Sequence, residues 1–288
     1  MGRLFIGFIK SNTEISIRGE ARMRHAKDLF GLKGRVAIVT GGRGLYGASI
    51  SQGLCEMGAI VVIASRNGVK CEEFAQELRS QGYLAYGMSL DLEDDESIQN
   101  LVKEVVARFG RIDILVNNAV DRRNMSPLST ATRQKLQDSV STNLNGQILL
   151  AQAVIPYMIE QEKGSIINIS SMRGLDCPHF PIYPESMGDQ PVNYTTEKWA
   201  MVGLTKYMAG RYGQHRIRVN CIAPGGFNPG LLEEEDKKPF VDAYIENCPL
   251  RCFANEDDIK GPVIFLASDA ANYVTGATLV MDGGWTIW

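Results

Sequence analysis

Short apolar segments rich in β-branched residues alternate along most of this chain with segments of helical length. The apolar runs are mostly not alternating, which is typical of strands that are covered on both faces. Strand–helix alternation of this kind predicts an α/β fold, a doubly wound parallel sheet with right-handed crossovers. The predicted strands are Val36–Thr40, Ile60–Ala64, Leu84–Leu90, Ile112–Asn117, Ser165–Ser170, Arg218–Ala223 and Thr278–Met281.

The segments between these strands predict helices that cover the sheet. Seven strands fit one sheet, so residues 23–288 are predicted to form a single domain. Residues 1–22 are expected to be an extension outside the fold, and Met23 is an alternative start. Their apolar run, 4–9, is short for a signal peptide. The predicted helices include Tyr46–Met57, Asp94–Arg108, Gln147–Glu160, Tyr194–Tyr212 and Glu256–Ser268.

Composition excludes several classes of protein. Thirty Lys and Arg against 33 Asp and Glu give a net charge of −3, whereas a protein that binds nucleic acid usually has an excess of basic residues. No apolar run approaches the ~20 residues of a membrane span. Six cysteines without a C-x-x-C pair favour reduced thiols, a cytoplasmic location and no metal site.

Two segments interrupt the strand–helix pattern. Asp176–Pro191 contains four prolines, which exclude a helix or an inner strand, and Pro224–Lys238 is rich in glycine and charge. Both follow predicted strands. Because open α/β sheets bind ligands beyond the carboxyl ends of their strands, both segments are candidate walls or lids of a pocket.

A glycine-rich turn follows the first predicted strand. Gly42, Gly44 and Gly47 spell G-x-G-x-x-G between that strand and a helix. Small residues there allow a tight turn and a close approach of the backbone to a pyrophosphate, which the helix N-terminus then binds. The pattern predicts a dinucleotide site.

The end of the second predicted strand bears on the choice of dinucleotide. An acid about 20 residues after the glycines binds the ribose of NAD, but here the strand ends in Ser65 and Arg66, and no acid occurs before Glu72. A guanidinium matches a phosphate, so Arg66, assisted by Arg43, favours NADP(H). NAD(H) remains the alternative.

A tyrosine and a lysine share one face of a predicted helix. Tyr194 and Lys198 are four residues apart, and a nearby ammonium group stabilises a phenolate. Upstream, the strand that ends in Ser170 and Ser171 offers hydroxyl groups to a carbonyl oxygen. Tyrosine and lysine at this spacing are common by chance, so other motifs in the chain must show whether this pair is catalytic.

Those motifs cover the chain from about residue 32 to its end. They resemble the short-chain dehydrogenase/reductase family, in particular its gluconate-dehydrogenase-like and 3-oxoacyl-carrier-reductase members. The matching pieces are TGGRGLYG (40–47), DL (91–92), NNA (117–119), TNLNG (142–146), SIINISSMRG (165–174), YTTEK (194–198), IRVNCIAPGG (217–226) and VTGATLVMDGG (274–284).

The resemblance implies a role for each matching residue. Tyr194 would be the acid/base, Lys198 would bind the nicotinamide ribose and assist Tyr194, and Asn143 would support a proton relay. Ser171 would position the substrate oxygen, with Ser170 as the alternative. With the patterns above, the expected cofactor-binding residues are Thr40, Gly41, Gly42, Arg43, Gly44, Leu45, Tyr46, Gly47, Ser65, Arg66, Asp91, Leu92, Asn117, Asn118, Ala119, Tyr194, Lys198, Pro224 and Gly225.

Two positions and one spacing depart from the family pattern. Leu45 stands at the position of the middle glycine, and Val120 where a glycine usually follows NNA. Ser171 and Tyr194 are 23 residues apart, roughly ten more than is usual, and the proline-rich segment accounts for the excess.

The expected reaction interconverts a secondary alcohol and a carbonyl on a polar, sugar-like or sugar-acid small molecule. The alternatives are a 3-oxoacyl-thioester reductase and a non-catalytic dinucleotide-binding sensor or scaffold. Apolar helices at 147–158 and 194–208 favour a homotetramer or dimer. Candidate substrate contacts are His179, Tyr183, Glu185 and Asp189, with Arg122, Arg123 and Arg173 for an anion.

Overall fold

Seven strands form one parallel sheet in the computed structural model of the chain, which describes residues 23–288. The expected extension at 1–22 lies outside the described residues. The strands are β1 (Val36–Thr40), β2 (Ile60–Ser65), β3 (Leu84–Ser89), β4 (Ile114–Asn117), β5 (Gly164–Ile169), β6 (Ile217–Pro224) and β7 (Thr278–Met281). Their order is β3-β2-β1-β4-β5-β6-β7, so the winding reverses beside β1 and leaves a crevice at its carboxyl end.

Helices cover both faces of this sheet. Within residues 23–288, no helix is both long enough and apolar enough to span a bilayer. The helices are α1 (Ala26–Leu29), α2 (Leu45–Glu56), α3 (Gly68–Ser80), α4 (Asp95–Phe109), α5 (Arg133–Val140), α6 (Gly146–Glu160), α7 (Val192–Tyr212), α8 (Pro229–Leu232), α9 (Lys238–Asn247) and α10 (Lys260–Ala267).

The core has two halves, one on each face of the sheet. Along β1, Ala37 and Val39 pack with α2, α3 and α10, whereas Val36 and Ile38 pack with α4, α6 and α7. Successive side chains of a strand point to opposite faces, so a strand that is buried on both faces must be apolar throughout. This explains the continuous apolar runs, and the predicted doubly wound sheet is confirmed.

Two elements begin at least two residues later than predicted, and local hydrogen bonds explain both differences. The strand predicted from Ile112 begins at Ile114, because the Ile112 amide donates to the Gln161 side chain instead of a strand. The helix predicted from Glu256 begins at Lys260. Before it, the Asn255 and Asp258 side chains accept backbone amides and hold a turn.

Both interrupting segments are folded against the carboxyl edge of the sheet. The proline-rich segment contains only single 3₁₀ turns, at Phe180–Ile182 and Glu185–Met187, and contains neither α-helix nor strand. The segment after β6 contains α8 and leads into α9. A third apolar cluster, including Met172, Ile182, Phe240 and Trp285, ties the two segments together.

Candidate active site

The glycine-rich turn between β1 and α2 forms a cradle at the crevice. Gly41 has φ +61°, a conformation that favours glycine. A Cβ on Gly47 would overlap the carbonyl oxygen of Gly41, so the turn and the helix touch without side chains between them. Gly44 is the N-cap of α2 and has no side chain to cap the helix, so its first amides stay available to a ligand.

Thr40, the last residue of β1, and Asn118, just after β4, brace this turn. The Thr40 hydroxyl accepts the backbone amides of Asn118 and Ala119, both at 3.0 Å. The Asn118 side-chain amide donates to the carbonyl oxygens of Thr40 and Gly41 at 2.9 and 3.2 Å. The sequence-predicted threonine is therefore buried beneath the turn, with its hydroxyl facing β4.

A cavity of about 530 Å³ lies over this cradle and extends to α7. We call it the main cavity. Sequence reasoning missed Val120, Ile169 and Phe227 in its wall, and Phe227 stacks on Tyr46 with ring centroids 4.4 Å apart. The predicted residues that line it are Gly41, Arg43, Gly44, Leu45, Tyr46, Gly47, Ser65, Asn118, Ala119, Arg122, Ser170, Ser171, Tyr194, Lys198, Pro224 and Gly225.

Tyr194 and Lys198 meet at the α7 end of the main cavity. Lys198 is only 7% exposed, and its ammonium group donates to the carbonyl oxygen of Ile169 at 2.9 Å. The same ammonium nitrogen lies 5.7 Å from the centre of the Tyr194 ring. A positive charge that is fixed beside a phenol stabilises negative charge on the phenol oxygen, which is the requirement for proton transfer there.

The two serines at the end of β5 have different partners. The Ser170 hydroxyl donates to the carbonyl oxygen of Lys198 at 2.7 Å and so ties β5 to α7. Ser171 Oγ accepts the Arg173 amide at 3.1 Å, which leaves the hydroxyl proton free for another acceptor. Ser171 and Tyr194 line the same cavity.

Asn143 lies at the centre of a π-helical turn, Ser141–Asn145, between α5 and α6. Its side chain accepts the Asp121 amide at 2.6 Å and donates to the Asp121 carbonyl oxygen at 2.9 Å. It also donates to Glu197 Oε2 at 2.9 Å, and burial raises the pKa of Glu197 above its ordinary value. Asn143 therefore joins the loop after β4 to α7 without lining the main cavity.

Several other predicted residues lie outside the main cavity. Asn117 is buried within β4 and donates to Asn168 on β5 at 2.9 Å. Gly42 is buried against α2, where its carbonyl oxygen accepts the Ser51 hydroxyl. Asp91 and Leu92 follow β3, and Leu92 belongs to the core.

Arg66 also lies outside the wall of the main cavity, beside Ser65. Its guanidinium contacts Asp121 at 3.0 Å, and Asp121 is also held by Arg123. Hydrogen bonds and charge from Arg123, with a contribution from Arg66, hold the pKa of the Asp121 carboxyl below its usual range, although burial opposes this. Asp121 was not among the sequence candidates, since an acid in this loop carries no spacing signal.

A smaller cavity of about 210 Å³ opens beside the main one. We call it the distal cavity. It shares Ser171, Tyr194 and Arg122 with the main cavity, and the Phe240, Tyr244 and Phe253 rings form one wall. Burial raises the pKa of Tyr244 to about 12, so this phenol stays neutral. The aromatic wall was missed because its three rings, from α9 and the loop after it, belong to no motif that places them beside Ser171 and Tyr194.

The loop residues that were expected to touch substrate are divided by the structure. Tyr183 lines the distal cavity, whereas His179, Glu185 and Asp189 are exposed and line neither cavity. The other residues of this segment that line the distal cavity are Pro178, Gln190 and Pro191. Of the four expected polar side chains, Tyr183 alone therefore contributes its hydroxyl to the wall, and Gln190 adds an amide that was not expected.

Known proteins are similar to this chain over most of its length. Residues 43–286 match a family described as enoyl-(acyl carrier protein) reductase. A D-threitol dehydrogenase of Mycolicibacterium smegmatis is 35% identical over 258 residues, which are 90% of this chain and 95% of the relative. A 3-oxoacyl-(acyl-carrier-protein) reductase of Staphylococcus epidermidis is 33% identical over 251 residues, which are 86% and 97% of the two chains.

A solved structure is similar over almost its whole length. It is a gluconate 5-dehydrogenase from Burkholderia cenocepacia J2315 in complex with NADP and tartrate. The TM-score is 0.82 at 34% identity, and the match covers 92% of this chain and 100% of that chain.

Proposed function

Because this chain belongs to the short-chain dehydrogenase/reductase family, we propose that it uses NADP(H) to interconvert a secondary alcohol and a carbonyl group on a polar, sugar-like or sugar-acid substrate. One observation carries the proposal: a single cavity has the glycine cradle at one end and Tyr194, Lys198 and Ser171 at the other. A dinucleotide in the cradle and an oxygen atom beside Tyr194 would meet in this cavity.

The residues present fit a dinucleotide cofactor. Gly41, Gly44 and Gly47 line the main cavity, so a pyrophosphate there would lie against the backbone, and the free amides of α2 favour its negative charge. Arg43 lines the main cavity together with Ser65, and Arg66 follows Ser65 in the chain, so these guanidinium groups would bind a 2′-phosphate there. When bound, the nicotinamide supplies or accepts the hydride at the substrate carbon.

The residues of the chain would handle the proton. Tyr194 gives its hydroxyl proton to the substrate oxygen during reduction and takes it back during oxidation. Lys198 stabilises the phenolate that forms, since Ile169 fixes its ammonium group beside the ring. Ser171 donates a hydrogen bond to the substrate oxygen and stabilises the charge that develops there. Asn143 keeps the loop after β4 in place against α7.

Turnover is the direct test. The absorbance of reduced nicotinamide would be followed while NADPH is mixed with ketoses and keto acids, and NADP⁺ with polyols and sugar acids. Turnover with at least one polar pair is expected. NADPH binding without turnover of any alcohol or ketone would instead support the non-catalytic sensor or scaffold.

A reductase of 3-oxoacyl thioesters is the second candidate. It is supported by the Staphylococcus epidermidis relative, which bears that activity in its name. Acetoacetyl-coenzyme A is a simple probe, because it presents the 3-oxoacyl group without a carrier protein. A kcat/KM for this thioester well above that for every polyol and sugar acid would favour the second candidate.

We also propose that the enzyme is a homo-oligomer, dimer or tetramer, in the cytoplasm. Trp199 and Tyr207 project from α7 with 51% and 70% of their surface exposed, so this face has apolar rings for a partner to cover. All six cysteines are free thiols, which fits a reducing compartment. Full activity after removal of residues 1–22 is expected if they lie outside the fold.

A further inference from the structure

A buried arginine lies in the wall of the distal cavity. Arg173 belongs to the 3₁₀ turn after β5, and only 5% of its surface is exposed. Its guanidinium donates to the carbonyl oxygen of Cys177 at 2.6 Å and to the Tyr183 hydroxyl at 3.2 Å. It also lies 5.6 Å from the centre of the Trp285 ring. Each of these partners is neutral.

No carboxylate of residues 23–288 lies within 4.0 Å of this guanidinium, the limit for an ion pair. The Asp282 carboxylate is near enough to Tyr244 to raise the pKa of that phenol, which Arg173 lowers. It accepts hydrogen bonds from the amides of Gly284 and Thr286 and from the Thr286 hydroxyl. Burying a charge costs several kcal/mol unless a counter-charge accompanies it. Arg173 therefore lacks a counter-ion at a place where a ligand can reach it.

The other two arginines considered for an anion are placed differently. Arg123 is committed to Asp121, with its guanidinium Nε 2.7 Å from Asp121 Oδ2. Arg122 is exposed at the rim shared by the two cavities. A guanidinium has five N–H donors, and the protein uses two of those on Arg173. Three donors and one full positive charge remain for a ligand.

We propose that Arg173 binds a carboxylate group of the substrate, so that the enzyme acts on small hydroxy acids or oxo acids. This rests on the proposed function, because Ser171 and Tyr194 line the same distal cavity and would bind the reacting oxygen of the same molecule. The cavity has room for about seven water volumes at ~30 Å³ each, which suits a short polyhydroxy acid. A carboxylate matches the single charge of the buried Arg173, whereas a phosphate dianion would also need the exposed Arg122 at the rim.

The competing explanation is that Arg173 only braces the proline-rich segment through Cys177 and Tyr183. The two explanations differ in what a variant does to different substrates. A brace acts on every substrate alike, whereas a carboxylate site acts only on substrates that carry the carboxylate. Arg173→Lys keeps the charge and loses the forked geometry, and Arg173→Gln loses the charge.

The experiment compares matched substrates of four to six carbons in the presence of NADP⁺: threonate with threitol, xylonate with xylitol and gluconate with glucitol. Glucitol 6-phosphate is the phosphate arm. kcat/KM would be measured for the full chain and for both Arg173 variants, and thermal unfolding would be followed in parallel. Arg218→Gln is the matched control, since Arg218 is a mostly buried arginine that also donates to a backbone carbonyl and lines neither cavity.

We expect the best acid to exceed its paired polyol in kcat/KM, and Arg173→Gln to reduce that ratio at least about thirtyfold. Arg173→Lys should retain part of the ratio, and Arg218→Gln should leave it unchanged. Polyols that react as well as acids, with both equally affected by Arg173→Gln, would overturn the carboxylate site and leave the oxidoreductase intact. A preference for the phosphate would also overturn it. If NADPH binds but no alcohol of the panel reacts, the proposed function itself is contradicted.

Discussion

Ser170 donates a 2.7 Å hydrogen bond to the carbonyl oxygen of Lys198, whereas the neighbouring Ser171 keeps its hydroxyl proton free. Both serines line the main cavity, and Ser171 also lines the distal cavity. Gly174 explains the geometry, because a Cβ there would overlap the Ser170 hydroxyl. The first serine thus fixes β5 against α7, and the second has a hydroxyl proton to offer. The two adjacent serines have different hydrogen-bond partners, so we expect a structural role for Ser170 and a functional role for Ser171.

Exchange of each serine for alanine should therefore have a different consequence. Ser170→Ala removes one buried hydrogen bond and should lower the free energy of unfolding by about 0.5–1.5 kcal/mol. Ser171→Ala should lower kcat roughly 10²–10³-fold, since it removes a donor to the developing charge. Urea unfolding and steady-state kinetics on both variants check this. The reverse pattern would identify Ser170 as the substrate-binding serine.

Tyr194→Phe should lower kcat roughly 10²–10⁴-fold, because only the acid/base hydroxyl is lost. NADPH affinity, measured by fluorescence titration, should stay within about twofold, since the ring and its position are retained. Tyr207→Phe is the matched control on the same helix, where the ring is exposed and distant from both cavities. A near-normal kcat for Tyr194→Phe would remove Tyr194 from the reaction.

The sequence predicts the sheet well because two of its signals are local. The part of a strand that is buried on both faces is mostly apolar, as Val36–Val39 is, and the glycines after Thr40 leave few alternatives to a βα turn. Tyr194 and Lys198 are brought together by one helical turn. These features depend on neighbours within a few residues and are therefore readable from the chain.

Contacts between distant segments could not be predicted in this way. Asp121 lies against Arg66, 55 positions earlier, and the Tyr244 ring stacks on Trp285, 41 positions later. Neither contact has a spacing rule. For the same reason, three exposed polar residues of the proline-rich segment were expected to face substrate, since the sequence does not say which side of a loop meets the cavity.

Asp269 should make folding stability depend on pH. Burial raises the pKa of its carboxyl, but hydrogen bonds from Arg24, Lys163 and Arg35 outweigh this and hold the pKa far below its usual range. A group whose pKa is lower in the folded state stabilises the fold fully at pH values above the ordinary aspartate pKa of about 3.9. That stabilisation is lost as the pH falls from there through the lower pKa of the folded state. Asp269→Asn should therefore cost about 1–3 kcal/mol at pH 7.

The pH dependence separates this effect from a simple packing defect. The difference in unfolding free energy between wild type and Asp269→Asn should shrink below about pH 4. Asp242→Asn is the control, because Asp242 pairs with the exposed Lys238 at the protein surface and its exchange should change stability by less than about 1 kcal/mol. A difference that stays constant from pH 7 to pH 3 would show that charge is not its cause.

Light scattering at micromolar concentration should give the mass of a dimer or tetramer. Trp199→Glu with Tyr207→Glu should shift the mass towards the monomer, because carboxylates in place of exposed rings oppose burial against a partner. Glu233→Gln, on an exposed loop away from α7, serves as the control and should leave the mass unchanged. A monomeric wild-type chain would exclude the proposed assembly.

NADPH should bind more tightly than NADH, since no acid occurs at the end of β2, Arg66 follows Ser65 in the chain, and Arg43 lines the same cavity as Ser65. Ser65→Asp should reverse the preference. It places a carboxylate in the wall of the main cavity, where it would accept a ribose hydroxyl and repel a 2′-phosphate. Like-charge contact costs several kcal/mol, and each ~1.4 kcal/mol is a factor of ten, so NADPH affinity should fall at least about tenfold.

Two further variants test whether the preference for NADPH depends on the charges beside Ser65. Ser80→Asp adds the same charge at the exposed far end of α3 and should leave both affinities within about twofold, since charges separated by more than about 10 Å of salt solution are screened. Arg66→Ala should weaken NADPH and spare NADH, because only NADPH carries the phosphate that a guanidinium would bind. The affinities would be measured by fluorescence titration at fixed ionic strength. Equal or tighter binding of NADH by the wild type would contradict a 2′-phosphate site at Ser65 and Arg66.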